Sequence, residues 1–372
     1  MTSILLDPEF LPLTTDLDVA AFWQENERCN EATENKPRCK LTLAPDDHWM
    51  FEFLAVDSTL RYYQDKPHRD ALHKESNQIT KQYMGQAFFN EDSWVESPRR
   101  IENLFGCEFA YHEGGTPWLV PVTDDPDVFA KILDKAESTD IAQWALPEPY
   151  LQELQMRMAR GEKMPHMGTG SRGPATVMTS ILAPETLFYW MMDHEELVIR
   201  FRDVLQRQMV ALNKFLRQYS GCDWNGWWIT DDNCALFSPG LYRDYCAPIV
   251  ATLLETFASR AEAYRYQHSD SAMGHLLDQQ QALGINNVNY GPEVDPALIR
   301  TRMPQAVIHG HMPPFLLRNG SPEAIRARVI EDFAKVGAGG RLIYTTAGSL
   351  AAGTGMGRVR WLMKCVQECT RY

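Results

Sequence analysis

The C-terminal half of the chain carries a hydrophobic pattern that switches several times between helical and strand-like spacing. Residues 181–221 begin it with an apolar stripe at helical spacing, with Arg and Gln between its members and Gly221 at its end. The members of the stripe are Leu197, Phe201, Leu205, Leu212 and Leu216. This pattern predicts a long amphipathic helix that packs one face against the core.

Short apolar runs alternate with helical patterns from residue 222 to the C-terminus. The predicted strands lie in CDWNGWWITDDNCALF (222–237), AEAYRYQHSD (261–270), INNVNYG (285–291), QAVIHGHM (305–312) and RLIYTTAGSL (341–350). Helical patterns separate them, and the first of these helices has Ser238 as its N-cap and Pro239 in its first turn. Apolar strands that alternate with helices predict a parallel sheet covered by helices.

Polar residues collect where the predicted strands end. They are Asp231, Asp232, His268, Asp270, Asn289, Tyr290, His309, His311, Thr345, Thr346 and Ser349. In a (β/α)8 barrel all strand ends face one mouth, where active sites are built, whereas an open doubly wound sheet gathers only some of them. No GxGxxG follows an early strand, which disfavours a dinucleotide-binding fold. We therefore expect an α/β fold, and within it a (β/α)8 TIM barrel.

The N-terminal part of the chain differs from the rest. Residues 1–75 have mixed charge and no sustained period, so we expect a helical or irregular extension that packs on a barrel formed by residues 76–372. The start of the chain has acids where a signal peptide has bases, and Asp7 and Pro8 interrupt its short apolar run. No stretch approaches the roughly 20 apolar residues of a membrane span. We expect a cytoplasmic protein with no membrane partner.

The composition narrows the function classes further. The 372 residues are 44% hydrophobic and carry a formal net charge of -13, so no overall positive field attracts nucleic acid. Eight cysteines in a chain of this length, with no CxxC, do not suggest a disulfide scaffold. We expect Cys365 and Cys369 to be buried or half-buried thiols.

The motif His268-Ser269-Asp270 is the main candidate for chemistry. Residues at i and i+2 of a strand point to the same side, and three interpretations stay open. The pair could ligate zinc, iron or manganese if His309 or His311 completes the set. Asp270 could instead orient the imidazole as an acid-base group, or simply cap the following helix.

Further candidates surround this motif. Asp231 and Asp232 are candidate proton donors, because two buried carboxylates this close raise each other's pKa. Arg172, in a glycine-rich stretch, offers a guanidinium for a carboxylate or phosphate. The full set of candidate substrate contacts is Arg172, Asn233, Asn289, Tyr290, His311 and Ser349.

Six stretches, in this order along the chain, resemble the uroporphyrinogen decarboxylase superfamily. They are LFGCEFAYHEGGTPWLVPVTDDPDVF, GTGSRGPATVMTSIL, GWWITDDNCALFSPGLYRDYCAPIV, HSDSAMGHLLDQQQALGINNVNYGPEVD, AVIHGHMPPFLLRNGSPEAIRARV and TTAGSLAAGTG. The resemblance covers residues 75–372. It implies a (β/α)8 barrel that is similar either to the decarboxylase of haem biosynthesis or to methyltransferases that use corrinoid proteins, coenzyme M or other thiols.

The details of the motifs favour the methyltransferase-like branch. The Arg-Gln-Ala-Gly-Arg signature of the decarboxylase does not occur in this sequence. Zinc-dependent methyltransferases of the superfamily have His-x-Cys where this chain has His268 and Asp270, and a further Cys where it has Gly348. The resemblance implies His268 as a metal ligand. With Asp270 and His309 as further ligands, we expect a divalent metal, zinc or iron.

Three functions stay open on the sequence alone. The first is a metal-assisted, methyltransferase-like enzyme that acts on a small polar substrate, with a thiol or a corrinoid protein as methyl carrier. The second is a metal-free decarboxylase or lyase with Asp231 or Asp232 and His268 as proton donors, since the resemblance implies that the two aspartates face the substrate. The third is a non-catalytic binding barrel. A second copy of the chain, as a homodimer, is a further candidate partner.

Overall fold

Seven strands form one parallel sheet and two more form a hairpin within residues 6–372, the part of the chain that the computed structural model describes. In chain order the strands are β1 Lys40–Leu41, β2 Phe109–Ala110, β3 Trp118–Leu119, β4 Gly170–Arg172, β5 Gly226–Thr230, β6 Tyr264–Ser269, β7 Asn287–Tyr290, β8 Val307–His309 and β9 Leu342–Tyr344. The parallel sheet has the order β1-β9-β8-β7-β6-β5-β4, and β2 pairs with β3 in the hairpin.

The strand order is that of a barrel. From β4 to β9 each strand pairs in parallel with the next one along the chain, and β9 then pairs with β1. Sequential parallel neighbours joined by helices are the arrangement of a (β/α)8 barrel. Across residues 6–372 no strand pairing links β4 back to β1, so the hydrogen-bonded sheet is not closed there. The predicted α/β class is confirmed, and the arrangement is consistent with the expected TIM barrel.

Helices follow most strands and cover the sheet. The α-helices are α1 Val19–Glu27, α2 Asp47–Leu54, α3 Thr59–Gln64, α4 Lys66–Met84, α5 Ile101–Leu104, α6 Pro126–Ser138, α7 Ile141–Trp144, α8 Glu148–Ala159, α9 Pro174–Ile181, α10 Pro184–Asp193, α11 Glu195–Ser220, α12 Pro239–Leu241, α13 Ala247–Phe257, α14 Leu277–Ala282, α15 Pro296–Arg302, α16 Pro314–Asn319, α17 Pro322–Val336 and α18 Met356–Cys369. A π-helical turn, Tyr242–Cys246, joins α12 to α13. None of the helices in the described chain is long and apolar enough to cross a bilayer.

The predicted elements of the C-terminal half are largely confirmed. Strands β5 to β9 all fall within the five apolar runs. The helix predicted over residues 181–221 is divided instead, because His194 adopts a non-helical backbone between α10 and α11. Gly221 ends α11 in the left-handed conformation, with φ 64°. The prediction of one continuous helix is therefore wrong at His194, where the chain breaks into two helices.

Alternation along β5 separates an outer face of the sheet from an inner one. Trp227 is fully buried and stacks on Phe257 of α13 with 4.7 Å between ring centroids, so it points outward. Trp228 and Thr230 consequently point to the inside of the barrel. Thr230 pairs in register with His268 of β6, which therefore shares this inner face.

The segment expected to be an N-terminal extension supplies part of the sheet. It contains β1 as well as helices α1 to α3, and α4 runs without a break across the boundary expected at residue 75. The side-chain amide of Asn26 in α1 accepts from the N–H of Leu41 at 2.8 Å and donates to its carbonyl oxygen at 2.9 Å. This pair of bonds occupies backbone groups of β1 on the edge of the sheet. The division at residue 75 stays a prediction, and residues 1–5 lie outside the described part.

Replacement of Leu41 tests whether β1 is an integral strand. Leu41 is 1% exposed, so Leu41→Ala leaves a cavity and should lower the free energy of unfolding by about 2–5 kcal/mol. The same change at exposed Leu13 should alter it by less than about 0.5 kcal/mol. Urea unfolding followed by circular dichroism measures both variants. Equally small effects would show that β1 does not belong to the core.

Candidate active site

Three potential ligand groups meet where β5 and β6 end. The Nε2 atom of His268 lies 3.3 Å from Oδ1 of Asp270 and 3.7 Å from Oδ1 of Asp232. One donor atom from each residue lies within 4.8 Å of the other two. The same oxygen of Asp232 accepts from the backbone N–H of Asp270 at 2.9 Å. The structure thus brings His268 and Asp270 together and adds Asp232 to them.

The side-chain amide of Asn289, on β7, orients the imidazole. Its Nδ2 donates to the carbonyl oxygens of His309 at 2.6 Å and Thr346 at 3.1 Å, which identifies the other amide atom as the acceptor oxygen. That oxygen accepts from the N–H of Gly348 at 3.2 Å and lies 2.7 Å from Nδ1 of His268. Nδ1 must therefore carry the proton. In the neutral imidazole, Nε2 then presents its lone pair to the two carboxylates.

The carboxylates also stabilise the protonated imidazole. Burial by itself would lower the pKa of His268, but the hydrogen bond to Asp270 and the charges of Asp270 and Asp232 outweigh it and raise that pKa above its usual value. In the protonated state Nδ1 donates to Asn289 and Nε2 to Asp270. A cation held by the three residues would take the place of that proton.

Asp231 and Asp232 are neighbours in the chain but have different surroundings. Asp231 is fully buried, and its Oδ1 accepts from the backbone N–H of Thr176 at 2.8 Å, in the first turn of α9. Burial raises the pKa of Asp231 to about 7, although the hydrogen bonds from Thr176 act against it. Gly173 leaves room for this carboxylate, because a Cβ there would collide with it. Asp231 therefore ties β5 to α9 from behind the site, and its catalytic role stays a prediction.

The carboxylate of Asp270 lies beside the loop that follows β9. Gly348 has φ 97°, and a Cβ at this position would collide with the Asp270 carboxylate. The helical segment after Asp270, Gly274–Leu276, shows no side-chain cap in the described chain. The interpretation of Asp270 as a helix cap is therefore wrong. Its side chain is 57% exposed and is available to a ligand.

Three of the predicted substrate contacts are at least partly accessible. Asn233 donates through Nδ2 to Oγ1 of Thr179 at 2.8 Å. Arg172, at the end of β4, forms an ion pair with Glu102 at 2.6 Å. Ser349 is exposed in the loop after β9. Their roles in substrate binding stay predictions.

His309 is not among the donor atoms that converge on His268. Its Nε2 lies 3.1 Å from Oδ1 of Asn287, and its ring contacts Tyr266 with 5.3 Å between centroids. Burial lowers the pKa of His309 to about 4, so the ring is neutral. The cluster contains Asp232 instead. A metal ion bound to this cluster does not need His309.

His311 and Tyr290 also lie apart from the cluster. His311 is fully buried, and burial, with the nearby charge of Arg328, lowers its pKa to about 4. Tyr290 faces the outside of the sheet, where its hydroxyl donates to Oε1 of Gln267 at 2.9 Å. Because His311 contacts Arg328 of α17 and Tyr290 points away from the inner face, their predicted substrate contacts are not supported by their positions.

Two features of the site were not predicted from the sequence, namely the role of Asn289 and the contact of Glu102 with Arg172. Asn289 was expected to touch the substrate, whereas it orients His268. Its position one strand after the His-x-Asp motif was a usable signal, because consecutive barrel strands are neighbours. Glu102 gave no signal, since it lies in the short helix α5, far from Arg172 in sequence.

Comparisons with known proteins agree with this fold. The model of the family described as uroporphyrinogen decarboxylase (URO-D) matches residues 100–369, well over half of the chain. No curated protein matches the sequence significantly. Among solved structures, a methyltransferase from Methanosarcina mazei has a TM-score of 0.59 and 14% sequence identity, and the match covers 92% of this chain and 98% of that chain. At this identity the likeness is one of fold.

Replacement of Asp270 tests the electrostatics of the cluster. In metal-free protein we expect the pKa of His268 to lie above its usual value of about 6.5, and Asp270→Asn to lower it. Ring signals followed by NMR titration measure this pKa, with His268→Gln to assign the signal. Because the folded pKa is raised, the stability from this charge is present below about pH 6.5 and is lost as the pH rises through the folded value. Asp278→Asn, at an exposed carboxylate paired with Arg302, should leave the titration unchanged.

Proposed function

Because this chain belongs to the uroporphyrinogen decarboxylase family, we propose that it is a methyltransferase-like enzyme that uses a divalent metal ion, zinc or iron, at Asp232, His268 and Asp270. One observation carries this proposal. Three donor atoms converge within 4.8 Å, and Asn289 holds the imidazole in the tautomer that leaves Nε2 free.

The chemistry of the three residues fits a divalent transition metal. An imidazole nitrogen with two carboxylate oxygens suits zinc, iron or manganese. Metal-bound histidines ordinarily donate their other ring N–H to an oxygen acceptor, as His268 does to Asn289. The side chains of Asp232 and Asp270 are 48% and 57% exposed, which leaves access for a substrate.

An ion bound there would supply Lewis-acid activation of a thiol or of a substrate heteroatom. Contacts within the chain hold the ligand side chains in place. Asp232 joins the ends of β5 and β6, and Gly348 leaves space for the carboxylate of Asp270. With carboxylates in place of thiolates, the ligand set is harder and accommodates iron or manganese as well as zinc.

The proposal extends to partners and organisation. The methyl carrier would be a thiol or a corrinoid protein, and the substrate a small polar molecule. We also propose a cytoplasmic enzyme with a homodimer as its oligomeric form. Within residues 6–75, strand β1 belongs to the sheet, and we propose that the remainder of this segment is the extension that packs on the barrel.

A second candidate is a metal-free decarboxylase or lyase. The observation in its favour is the raised pKa of His268, caused by Asp270 and Asp232, which outweigh burial. An imidazolium that persists towards neutral pH can donate a proton to a developing carbanion. In this case Asp232 and Asp270 keep the proton in place instead of binding a metal.

Elemental analysis separates the two candidates. Protein purified without chelator should contain close to one equivalent of zinc or iron. His268→Ala and Asp270→Asn should lose most of it, because the first removes the imidazole ligand and the second replaces a carboxylate with a neutral, weaker amide donor. His309→Ala is the matched control, since that histidine lies outside the cluster, and it should retain the metal. If the native protein and all variants contain no metal while circular dichroism shows an intact fold, the metal proposal is wrong and acid-base chemistry is the remaining candidate.

A pair of asparagine variants tests the orienting hydrogen bond. Asn289→Ala should weaken zinc binding by roughly 10–100-fold, because His268 loses the partner that fixes its ring. Asn287→Ala removes an equal amide from the same strand, but from the contact with His309, and should change zinc affinity little. Calorimetric titration of the apoprotein with zinc measures both. Equal losses in the two variants would contradict a specific role for Asn289.

A further inference from the structure

A cavity of about 460 Å³ lies beside β4, which forms the edge of the sheet opposite to β1. Residues 98–102, β5 and the helix α11 complete its walls. Its volume is in the range of small-molecule sites. The charged residues of its lining are Arg99, Arg100, Glu102 and Arg172. The guanidinium groups of Arg99 and Arg100 lie over the rings of Trp144 and Phe109, which are outside this lining, so the guanidinium of Arg172 is the group that can bind an anion in the cavity.

Arg172 has free hydrogen-bonding capacity in this cavity. Its Nη1 donates to Oε1 of Glu102 at 2.6 Å, while Nε and Nη2 have no acceptor in the described chain. A guanidinium presents its donors in a planar fork that matches a carboxylate. Ser171 pairs with Ile229 and so points to the opposite face of β4. The free Nε and Nη2 donors of Arg172 can therefore bind a ligand oxygen on the inner face.

Apolar side chains also line the cavity. Trp228 lines it and is 38% exposed, which is high for a tryptophan on the inner face of a barrel. Leu212 and Leu216 of α11 contribute aliphatic surface. A flat indole face beside a fixed cation suits a ligand that joins a planar apolar body to an anionic group.

Strand register connects this cavity to the metal cluster. Arg172 pairs with Thr230, and Thr230 pairs with His268, so the three residues stand at one level of the barrel. Adjacent strands lie about 4.8 Å apart, which puts the Cα atoms of Arg172 and His268 roughly 10 Å apart. A small molecule held by Arg172 can therefore extend towards His268.

We propose that this cavity binds the substrate, and that the substrate is an organic carboxylate with a planar apolar body. Its carboxylate binds Arg172, its body packs on Trp228, and its reacting end points to the cluster of Asp232, His268 and Asp270. The identification of the ligand as the substrate rests on the proposed function. The binding of an aromatic carboxylate at Arg172 is independent of the proposed function.

Benzoate and benzamide are the probes for this proposal, because they share shape and differ in charge. The test variant is the double replacement Arg172→Gln/Glu102→Gln. Replacement of Arg172 alone would leave Glu102, 1% exposed, as a buried unpaired charge. The matched control is Arg302→Gln/Asp278→Asn, which removes an exposed ion pair elsewhere. Calorimetry measures binding, and circular dichroism checks the fold.

Benzoate should bind the native chain and the control alike, and the double variant roughly tenfold more weakly or worse. Benzamide should bind the native chain no better than it binds the double variant. No benzoate binding to the native chain, equal binding of the two probes, or unchanged binding in the double variant would overturn the proposal. His268→Ala should still bind benzoate, and loss there would place the anion at the cluster and overturn it too. If the chain contains no metal but benzoate binding depends on Arg172, the proposed function fails while the ligand class stands.

Discussion

The mouth of the barrel depends on the side-chain amide of Asn289. A buried amide must satisfy both its donors and its acceptor, and an unsatisfied group costs about 1–3 kcal/mol. Here the donors bind the backbone at the end of β8 and just after β9, while the oxygen accepts from the backbone N–H of Gly348 and from the ring of His268. One side chain thus couples three strands and a loop to the orientation of a histidine. Loss of this amide would disturb the backbone and the imidazole together.

The two consecutive aspartates show how position in the strand decides the role of a carboxylate. Asp231 turns into the protein and accepts a hydrogen bond from the start of α9. Asp232 turns to the mouth, where it meets His268 and the backbone of Asp270. The buried carboxylate fixes where β5 ends relative to α9, and the accessible one then has a defined place. Of these two neighbouring carboxylates, Asp231 stabilises the fold and Asp232 is available to a ligand.

Local pattern was enough to predict the parallel sheet, its strands β5 to β9 and the joint position of His268 and Asp270, because these follow from periodicity along one segment. It did not predict β1 and β4, which are only two and three residues long. It was not enough for contacts across strands. Strand alternation already indicates opposite faces for Asn289 and Tyr290, but it does not tell which of the two faces the mouth. His309 ends its strand on the inner face, yet its ring contacts Asn287 rather than the cluster. Glu102 reaches Arg172 only through the tertiary fold. Such contacts depend on register and side-chain direction, which a single sequence does not contain.

The pairing of β1 with β9 has a consequence for synthesis of the chain. Lys40 finds its partner in Ile343, so an early strand must wait for nearly the whole polypeptide to leave the ribosome. Contacts so distant in sequence form slowly, and an unpaired strand edge invites association with other chains in the meantime. Asn26, only fifteen positions before Leu41, can bind the backbone of β1 as soon as both have emerged. Helix α1 can thus satisfy backbone groups of β1 before this strand finds its partner β9 and completes the sheet.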